Sequence, residues 1–405
     1  MEGLKRLKLK NQMTVYLKKR EDLSSVSVFL WVKAGASYEK EEERGVAHFL
    51  EHAIFHESKK LGRGEIDRVV EELGGEVNAA TSYDYTYYYI TLPKGNLETA
   101  LELIEALIFH PILSKEVIEK EKPIVLEEIA RSKNDPQGLF LEEFSRRLYK
   151  RAPYRYPILG EPETVRNFTP EVVSSFYRRF YSPNRMNLVV VGNFNANKAQ
   201  KIARKLFEDK RGTEFKVRLT AEGDLRSGGK FTFKHPAATI PTLILGWKLP
   251  PIGEESVYYE ILDSLLSSGR SSLLYKRIKA KGIAYAAYSN YQGLLLGSNF
   301  SIGALSDSVE KTQREVFRVI EECLKVKEEE FELAKLKLLK GELFFREAGE
   351  AEADWIGFSA TILGKTYSYE ERAEMIRKAR YEEFLKKISF LKREPLVGVL
   401  LPEAG

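Results

Sequence analysis

The same order of predicted strands and helices occurs twice along the 405-residue chain. The first half has an apolar strand (26–32), a helix (43–57), a strand pair (76–92), several helices and a closing strand (187–194). The second half repeats this order with a strand at 242–249, a helix at 255–267, strands near 283–303 and a final strand at 396–401. The repetition predicts an α+β fold of two related domains, each a mainly antiparallel sheet packed with helices, produced by duplication. Two unrelated α+β domains are the alternative, because the halves share a pattern rather than residues.

The length of the chain also favours two domains, since 405 residues exceed one ordinary hydrophobic core. Residues 209–228 are polar and contain glycine, which is typical of a linker. The predicted division is therefore a first domain at 1–208, a linker at 209–228 and a second domain at 229–405.

Charge and apolar content exclude several classes of partner. The 64 basic residues are nearly balanced by 59 acidic ones and interleaved with them, so no nucleic-acid-binding stripe is predicted. No apolar stretch reaches the roughly 18 residues of a membrane span, so no membrane partner is expected. The single cysteine, Cys323, excludes an intrachain disulfide and is interpreted as a small buried hydrophobic residue. We expect a reducing, cytoplasmic compartment.

Three of the five histidines lie one helical turn apart in the segment HFLEHAIFHE. Residues four apart share a helix face, so His48 and His52 can bind one metal ion. Glu51 lies on that face, within reach of a metal-bound water. The common zinc motif H-E-x-x-H would need glutamate where Phe49 stands, whereas the inverted motif H-x-x-E-H fits. His56 lies two turns from His48 and is interpreted as a structural residue at the helix end.

A catalytic zinc site usually has three protein ligands, and this helix supplies two. His110 and His235 stand alone, so we expect a carboxylate from another helix. The segment EKEKPIVLEEIARS offers four candidates, Glu119, Glu121, Glu127 and Glu128. Glu121 and Glu128 lie seven apart and so share a face, but without the histidines this helix would be interpreted as a solvated acidic face.

With HFLEH, GGEVNAATSYDYTYY and LEEI in this order, the chain resembles the pitrilysin and mitochondrial processing peptidase family of zinc endopeptidases. The resemblance continues through YPILGEPETV and FYRRFYSPNRMNLVVVGNF to GRSSLLYKRIKAKGIAYAAYS. It implies a short, two-domain member that cleaves peptides or unfolded polypeptides in an enclosed chamber. It also implies pairing of chains, as a homodimer or a heterodimer with a related chain.

The resemblance assigns roles to the residues of the first half. His48, His52 and Glu128 match the zinc ligands, and Glu51 matches the general base acting on a zinc-bound water. Glu121 matches a carboxylate that orients a ligand. The second half has no histidine pair, so one zinc ion per chain is expected.

The resemblance also implies substrate-binding residues. Asn78 and Ala79 match an edge strand to which the substrate adds by backbone pairing. Tyr285 matches a tyrosine that reaches the scissile carbonyl from the facing domain. The family also places an arginine near this tyrosine, and Arg277 is favoured over Lys279 for that role.

Two features leave alternatives open. Pro123 lies within the helix that carries Glu121 and Glu128, and is expected to kink this helix or delay its start. A catalytically silent scaffold or partner subunit is the rival function, although such subunits typically lack part of the metal motif, which is complete here.

Overall fold

The structure, a computed structural model, describes residues 3–403. Its strands are β1 (Leu4–Lys8), β2 (Thr14–Lys19), β3 (Ser25–Val32), β4 (Glu76–Thr81), β5 (Thr86–Pro93), β6 (Met186–Gly192), β7 (Lys230–His235), β8 (Thr242–Leu249), β9 (Ala286–Gln292), β10 (Ser298–Leu305) and β11 (Leu396–Pro402). Its α-helices are α1 (Val46–His56), α2 (Glu65–Glu72), α3 (Leu97–Phe109), α4 (Lys115–Lys133), α5 (Pro136–Leu148), α6 (Pro162–Arg166), α7 (Pro170–Phe180), α8 (Ala196–Phe207), α9 (Ser256–Ser267), α10 (Val309–Cys323), α11 (Glu328–Glu347), α12 (Gly349–Phe358), α13 (Tyr369–Lys378) and α14 (Tyr381–Ile388).

Two compact units share these elements. The first contains residues 3–129, 157–218 and 344–371, and the second contains 130–156, 219–343 and 372–403. The strands of the first sheet all precede residue 208 and those of the second all follow residue 229. Two helical segments depart from this order along the chain: residues 130–156 belong to the second unit, and residues 344–371 belong to the first. The linear boundaries at 208 and 229 remain a prediction.

The two sheets have the same topology. The first has the strand order β1-β2-β6-β3-β5-β4, and the second has the order β7-β11-β8-β10-β9. Without β1, each strand of the first sheet has a counterpart in the second, in the same order and with the same directions: one parallel pair next to three antiparallel pairs. The predicted α+β fold of two related sheet-and-helix domains is confirmed.

Helices cover both faces of the first sheet, because its central strands are apolar on both sides. On one face, Phe29 and Trp31 of β3 pack against Ala353 and Ile356 of α12. A Cβ atom on Gly357 would come within 2.0 Å of the Trp31 indole nitrogen, so only glycine permits this approach of α12. α1 and α3 also contact each other, and α3 packs on β3 and β5.

The second unit has its own apolar core between its sheet and its helices. Phe144 of α5 packs over Gly246 and Gly398, where added Cβ atoms would lie 2.5 and 3.0 Å from its ring. Cys323 is buried without a disulfide, as predicted. Within residues 3–403, no helix combines the length and apolar character needed to cross a membrane.

Candidate metal centre

The inverted motif lies on α1, as the spacing of its histidines predicts. The helix buries Phe49, Leu50, Ala53 and Ile54 completely, which fixes its rotation against the core. The remaining face then carries the motif residues. The rings of His48 and His52 lie 4.7 Å apart between centroids and are inclined by 65°.

Glu128 of α4 completes a three-residue cluster with the two histidines. Its Oε2 lies 3.5 Å from His48 Nε2 and 3.4 Å from His52 Nε2. The ligand atoms of all three residues lie within 4.8 Å of one another. Ligand distances of about 2.0–2.1 Å in a tetrahedral zinc site place ligand atoms about 3.3 Å apart. The donor set and its spacing therefore fit a zinc ion, and this is the one such cluster found among the residues that the structure describes.

Glu121 lies behind the histidines rather than among the ligands. Its Oε2 is 3.6 Å from His52 Nδ1, and its Oε1 is 3.0 Å from His56 Nδ1. Glu121 is 6% exposed, so its carboxylate lies against the outer nitrogen of His52 in a buried position. Its role in orienting this ligand remains a prediction. His56 is buried and lies outside the cluster, in agreement with its interpretation as structural, and its partner is Glu121.

Pro123 does not delay the start of α4, so this alternative was wrong. The helix is continuous from Lys115 to Lys133, with Pro123 inside it. Glu121 precedes the proline and Glu128 follows it, and both carboxylates contact the histidines of α1.

Glu51, the predicted general base, is held by Thr81 at the end of β4. The Thr81 hydroxyl donates a short hydrogen bond to Glu51 Oε2. Burial raises the pKa of Glu51, while this hydrogen bond acts in the opposite direction. A half-buried carboxylate with a raised pKa holds a proton more readily than an ordinary glutamate, which suits a group that accepts and returns a proton.

The two histidines differ in their pKa. Burial and the neighbouring His52 lower the pKa of His48 to about 4, so this imidazole is neutral at pH 7 and able to bind a metal. Burial also acts to lower the pKa of His52, but Glu121 and Glu128 outweigh it and the pKa is raised. Burial acts to raise the pKa of Glu121, yet His52 and His56 lower it overall. Glu121 is therefore an anion beside His52.

A cavity of about 480 Å³ opens beside the cluster. Glu51 and His52 line it together with apolar side chains of three elements: Phe55, Val77 and Ile124. Asn78 of β4 lines the same cavity. Among the strands that the structure describes, β4 pairs only with β5 and forms the edge of the first sheet, so Asn78 and Ala79 lie on an edge strand as predicted. Their role in binding a substrate remains a prediction.

Tyr285 and Arg277 lie in the second unit. Tyr285 immediately precedes β9, is 59% exposed and donates a hydrogen bond from its hydroxyl to Asp307. Arg277 lies in a π-helical turn, Tyr275–Lys279, and its guanidinium binds Glu322 of α10 through two hydrogen bonds of 2.7 Å. The predicted catalytic roles of both residues remain untested.

Two contacts of the site are not predicted from the sequence: that of Thr81 with Glu51, and that of His56 with Glu121. Thr81 is 30 residues from Glu51, and a threonine in a strand carries no signal of its own. The signal for His56 was available: it lies on the same face as His52, four residues further on.

Two related sheet-and-helix units, with an inverted H-x-x-E-H helix and a distant glutamate in one of them, define the zinc-peptidase class of protein. Two family models match the chain: insulinase (peptidase family M16) over residues 14–162, and the peptidase M16 inactive domain over residues 167–338. The chain belongs to peptidase family M16, the pitrilysin family, as a member of its short two-domain type.

Its relatives include proteins named as zinc proteases. An uncharacterized zinc protease of Rickettsia felis is 33% identical over 384 residues, covering 93% of this chain and 92% of the relative. The zinc protease PqqE of Helicobacter pylori is 29% identical over 365 residues, covering 88% of this chain and 82% of the relative.

Solved structures share the fold. A crystal structure of a protease from Helicobacter pylori has a TM-score of 0.91 at 24% identity, covering 98% of this chain and 99% of the other. An M16-like peptidase from Alicyclobacillus acidocaldarius has a TM-score of 0.89 at 22% identity, covering 99% and 98%.

Proposed function

We propose that the chain is a zinc-dependent endopeptidase that hydrolyses peptides or unfolded polypeptides. The observation that carries this proposal is the convergence of His48, His52 and Glu128 within 4.8 Å, beside the half-buried carboxylate of Glu51. When bound, zinc supplies Lewis-acid chemistry: it acidifies water and polarises a carbonyl group.

The protein's own groups perform the proton transfers. Thr81 holds Glu51 Oε2, so Oε1 is the atom that takes the proton from the attacking water. Glu51 then returns this proton to the leaving amine, since one group can act as base and then as acid. Glu121 keeps the outer nitrogen of His52 paired and so fixes the orientation of this ligand.

The substrate is proposed to add as a strand to β4 along Asn78 and Ala79, because β4 lies at the edge of the first sheet. The Ala79 amide, which donates to Asn78 Oδ1 at 2.8 Å, would exchange this acceptor for a substrate carbonyl. Tyr285 and Arg277 are proposed to act from the second unit, Tyr285 on the oxyanion. An enclosed chamber and a pair of chains, homodimeric or with a related partner, complete the proposal. Both come from the family resemblance.

A silent scaffold subunit is the second candidate. It is favoured by the match of residues 167–338 to a model described as an inactive domain, and by a structural neighbour from Pseudomonas fluorescens titled in the same way. The complete His–His–Glu cluster of the first unit favours the enzyme.

The test is Glu51→Gln. We expect this variant to keep zinc, because its ligands are unchanged, and to lose at least 100-fold in peptide cleavage, because it lacks a base. Zinc content and cleavage of a peptide library, with and without chelator, are the measurements. The control is Glu119→Gln, which changes an exposed carboxylate of α4 that pairs with Lys122. Cleavage by Glu51→Gln at the parental rate would exclude Glu51 as the base. Parental protein without zinc or cleavage would favour the scaffold.

A further inference from the structure

The N-terminus of α1 lacks a cap from its own N-cap residue. That residue is Gly45, with φ +91°, and it has no side chain to accept the first amides of the helix. A larger residue is excluded, because a Cβ on Gly45 would lie 2.8 Å from the Cα of Gly160 and 2.6 Å from the carbonyl oxygen of Leu159. The helix that carries the metal motif therefore needs an acceptor from elsewhere.

Glu39 supplies this acceptor from six residues before the N-cap residue Gly45. Its Oε2 accepts the Gly45 amide at 2.8 Å, and its Oε1 accepts the Ala47 amide, also at 2.8 Å. Ala47 immediately precedes His48. The two carboxyl oxygens of Glu39 thus lie at the amide-rich, positive end of the helix dipole. Glu39 thus fixes the backbone one residue before the first predicted metal ligand.

The loop that carries Glu39 is bound to the turn between β4 and β5. The Ala36 amide donates to the Ser82 carbonyl at 3.1 Å, and the Ser37 amide donates to the Tyr83 carbonyl at 2.8 Å. The Ser37 hydroxyl donates to the buried Asp84 carboxylate at 3.0 Å. The position of Glu39 is therefore set by the end of the edge strand that carries Thr81.

These contacts connect the edge strand β4 to helix α1 by two routes. One route is the direct hydrogen bond from Thr81 of β4 to Glu51 of α1. The other runs from the β4–β5 turn through residues 36–39 and the Glu39 carboxylate to the first turn of α1. The geometry points to Glu39 as a positioning residue that fixes α1, and with it His48 and Glu51, against the edge strand β4. This inference rests on the proposed peptidase function.

The neighbouring Glu43 provides a matched control. It lies on the same loop, and Arg179 of α7 donates to both of its oxygens at 2.6 and 2.7 Å. The Lys40 amide also donates to it, at 3.0 Å. Glu43 therefore anchors the loop without accepting an amide of α1 in any contact between described residues, and its loss should disturb the loop but not the cap.

The experiment compares Glu39→Ala, Glu39→Gln and Glu43→Gln in the full chain. It measures zinc affinity by competition with a chelator, kcat and KM on a cleavable peptide, and amide hydrogen exchange of residues 45–50. We expect Glu39→Ala to weaken zinc binding on the order of tenfold and to lower kcat more than it changes KM. Exchange in the first turn of α1 should become faster. Glu39→Gln keeps one acceptor and should recover part of each loss, which also covers a failure of Glu39→Ala to fold.

The outcomes are distinct. Parental zinc affinity and kcat in both Glu39 variants would overturn the inference, as would equal effects from Glu43→Gln. If the parental protein neither binds zinc nor cleaves peptides, the proposed function fails. In that case, hydrogen exchange still decides whether Glu39 holds α1: unchanged exchange at residues 45–50 would overturn the positioning role as well.

Discussion

Thr81 determines how the carboxylate of Glu51 is oriented. Its hydroxyl donates to Glu51 Oε2 and lies 3.4 Å from the hydroxyl of Thr86, which donates to the Ala34 carbonyl. A hydrogen bond to a charged group contributes about 1.5–3 kcal/mol. Thr81 is also the last residue of β4, the strand to which the substrate is proposed to add. Its hydrogen bond therefore connects that strand to Glu51, the proposed base.

We expect Thr81→Val to lower kcat about tenfold and to leave zinc content unchanged, because the metal ligands are untouched. Thr81→Ser should restore most of kcat, since it keeps the hydroxyl. Steady-state kinetics with metal analysis provide the measurement. Equal kcat values for Thr81→Val and the parental protein would show that the hydroxyl does not orient the base.

Glu39 also leads to a prediction about pH. Burial raises the pKa of Glu39 to about 8, although hydrogen bonds from the Ala47 and Gly45 amides act to lower it. The folded state then binds a proton more tightly than the unfolded state. The stabilisation is therefore complete below the unfolded pKa of about 4.5 and is lost as pH rises through 8.

Chemical denaturation between pH 5 and pH 9 checks this prediction. We expect the free energy of unfolding of the parental protein to fall by a few kcal/mol over this range and that of Glu39→Gln to change less. Parallel curves for the two proteins would contradict it.

At the scale of elements, the segment predicted as a linker contains a buried glutamate, Glu222, that forms an ion pair. Glu222 and Lys248 form an ion pair of 2.9 Å, each with a side chain 1% exposed. Three consecutive backbone amides, those of Lys150, Arg151 and Ala152, donate to Glu222 Oε2 at 2.8–3.0 Å. The polar, glycine-bearing composition of this segment predicted a linker and gave no sign of this ion pair, because sequence alone does not distinguish a buried glutamate from an exposed one.

Glu222→Gln should destabilise the second unit by about 3–5 kcal/mol, since it leaves Lys248 buried without a counter-charge. Burial acts to raise the pKa of Glu222, but Lys248 and the amides of Arg151 and Ala152 outweigh it and the pKa is lowered. The parental stabilisation is therefore present above the unfolded pKa of 4.5 and is lost as pH falls below it.

Hydrogen exchange of β8 between pH 3 and pH 7 measures this effect locally. The control is Glu214→Gln, an exposed carboxylate in the same segment. If Glu222→Gln and Glu214→Gln gave the same exchange in β8 at pH 7, the buried pair would not stabilise the second unit.

At the scale of the whole molecule, the two units share a sheet topology, but the His–His–Glu cluster lies in the first unit. In the second unit, Glu260 of α9 and Glu342 of α11 are bridged by a buried arginine, Arg372, which donates to Glu260 and lies 3.4 Å from Glu342. The guanidinium neutralises these carboxylates, and the described part of this unit holds no cluster of metal-binding side chains.

We therefore expect one zinc ion per chain, bound in the first unit. The double variant His48→Ala with His52→Ala should bind none. Metal analysis after dialysis measures the stoichiometry. A second equivalent of zinc in the parental protein, or one retained by the double variant, would contradict the assignment.

The sequence by itself determined the order of strands and helices, the α+β class and half of the metal site. These follow from local periodicity and from the four-residue spacing of His48 and His52, which one helix converts into one face. It offered four carboxylates for the remaining ligand, and family resemblance selected Glu128.

Only the tertiary structure decided which side chains meet across elements. It placed Glu128 at the histidines, Glu121 behind them, Thr81 on Glu51 and Glu39 at the start of α1. It also assigned residues 130–156 to the second unit and residues 344–371 to the first. These contacts join residues distant in the chain, and they depend on packing rather than on local propensity, so no short segment of the sequence specifies them.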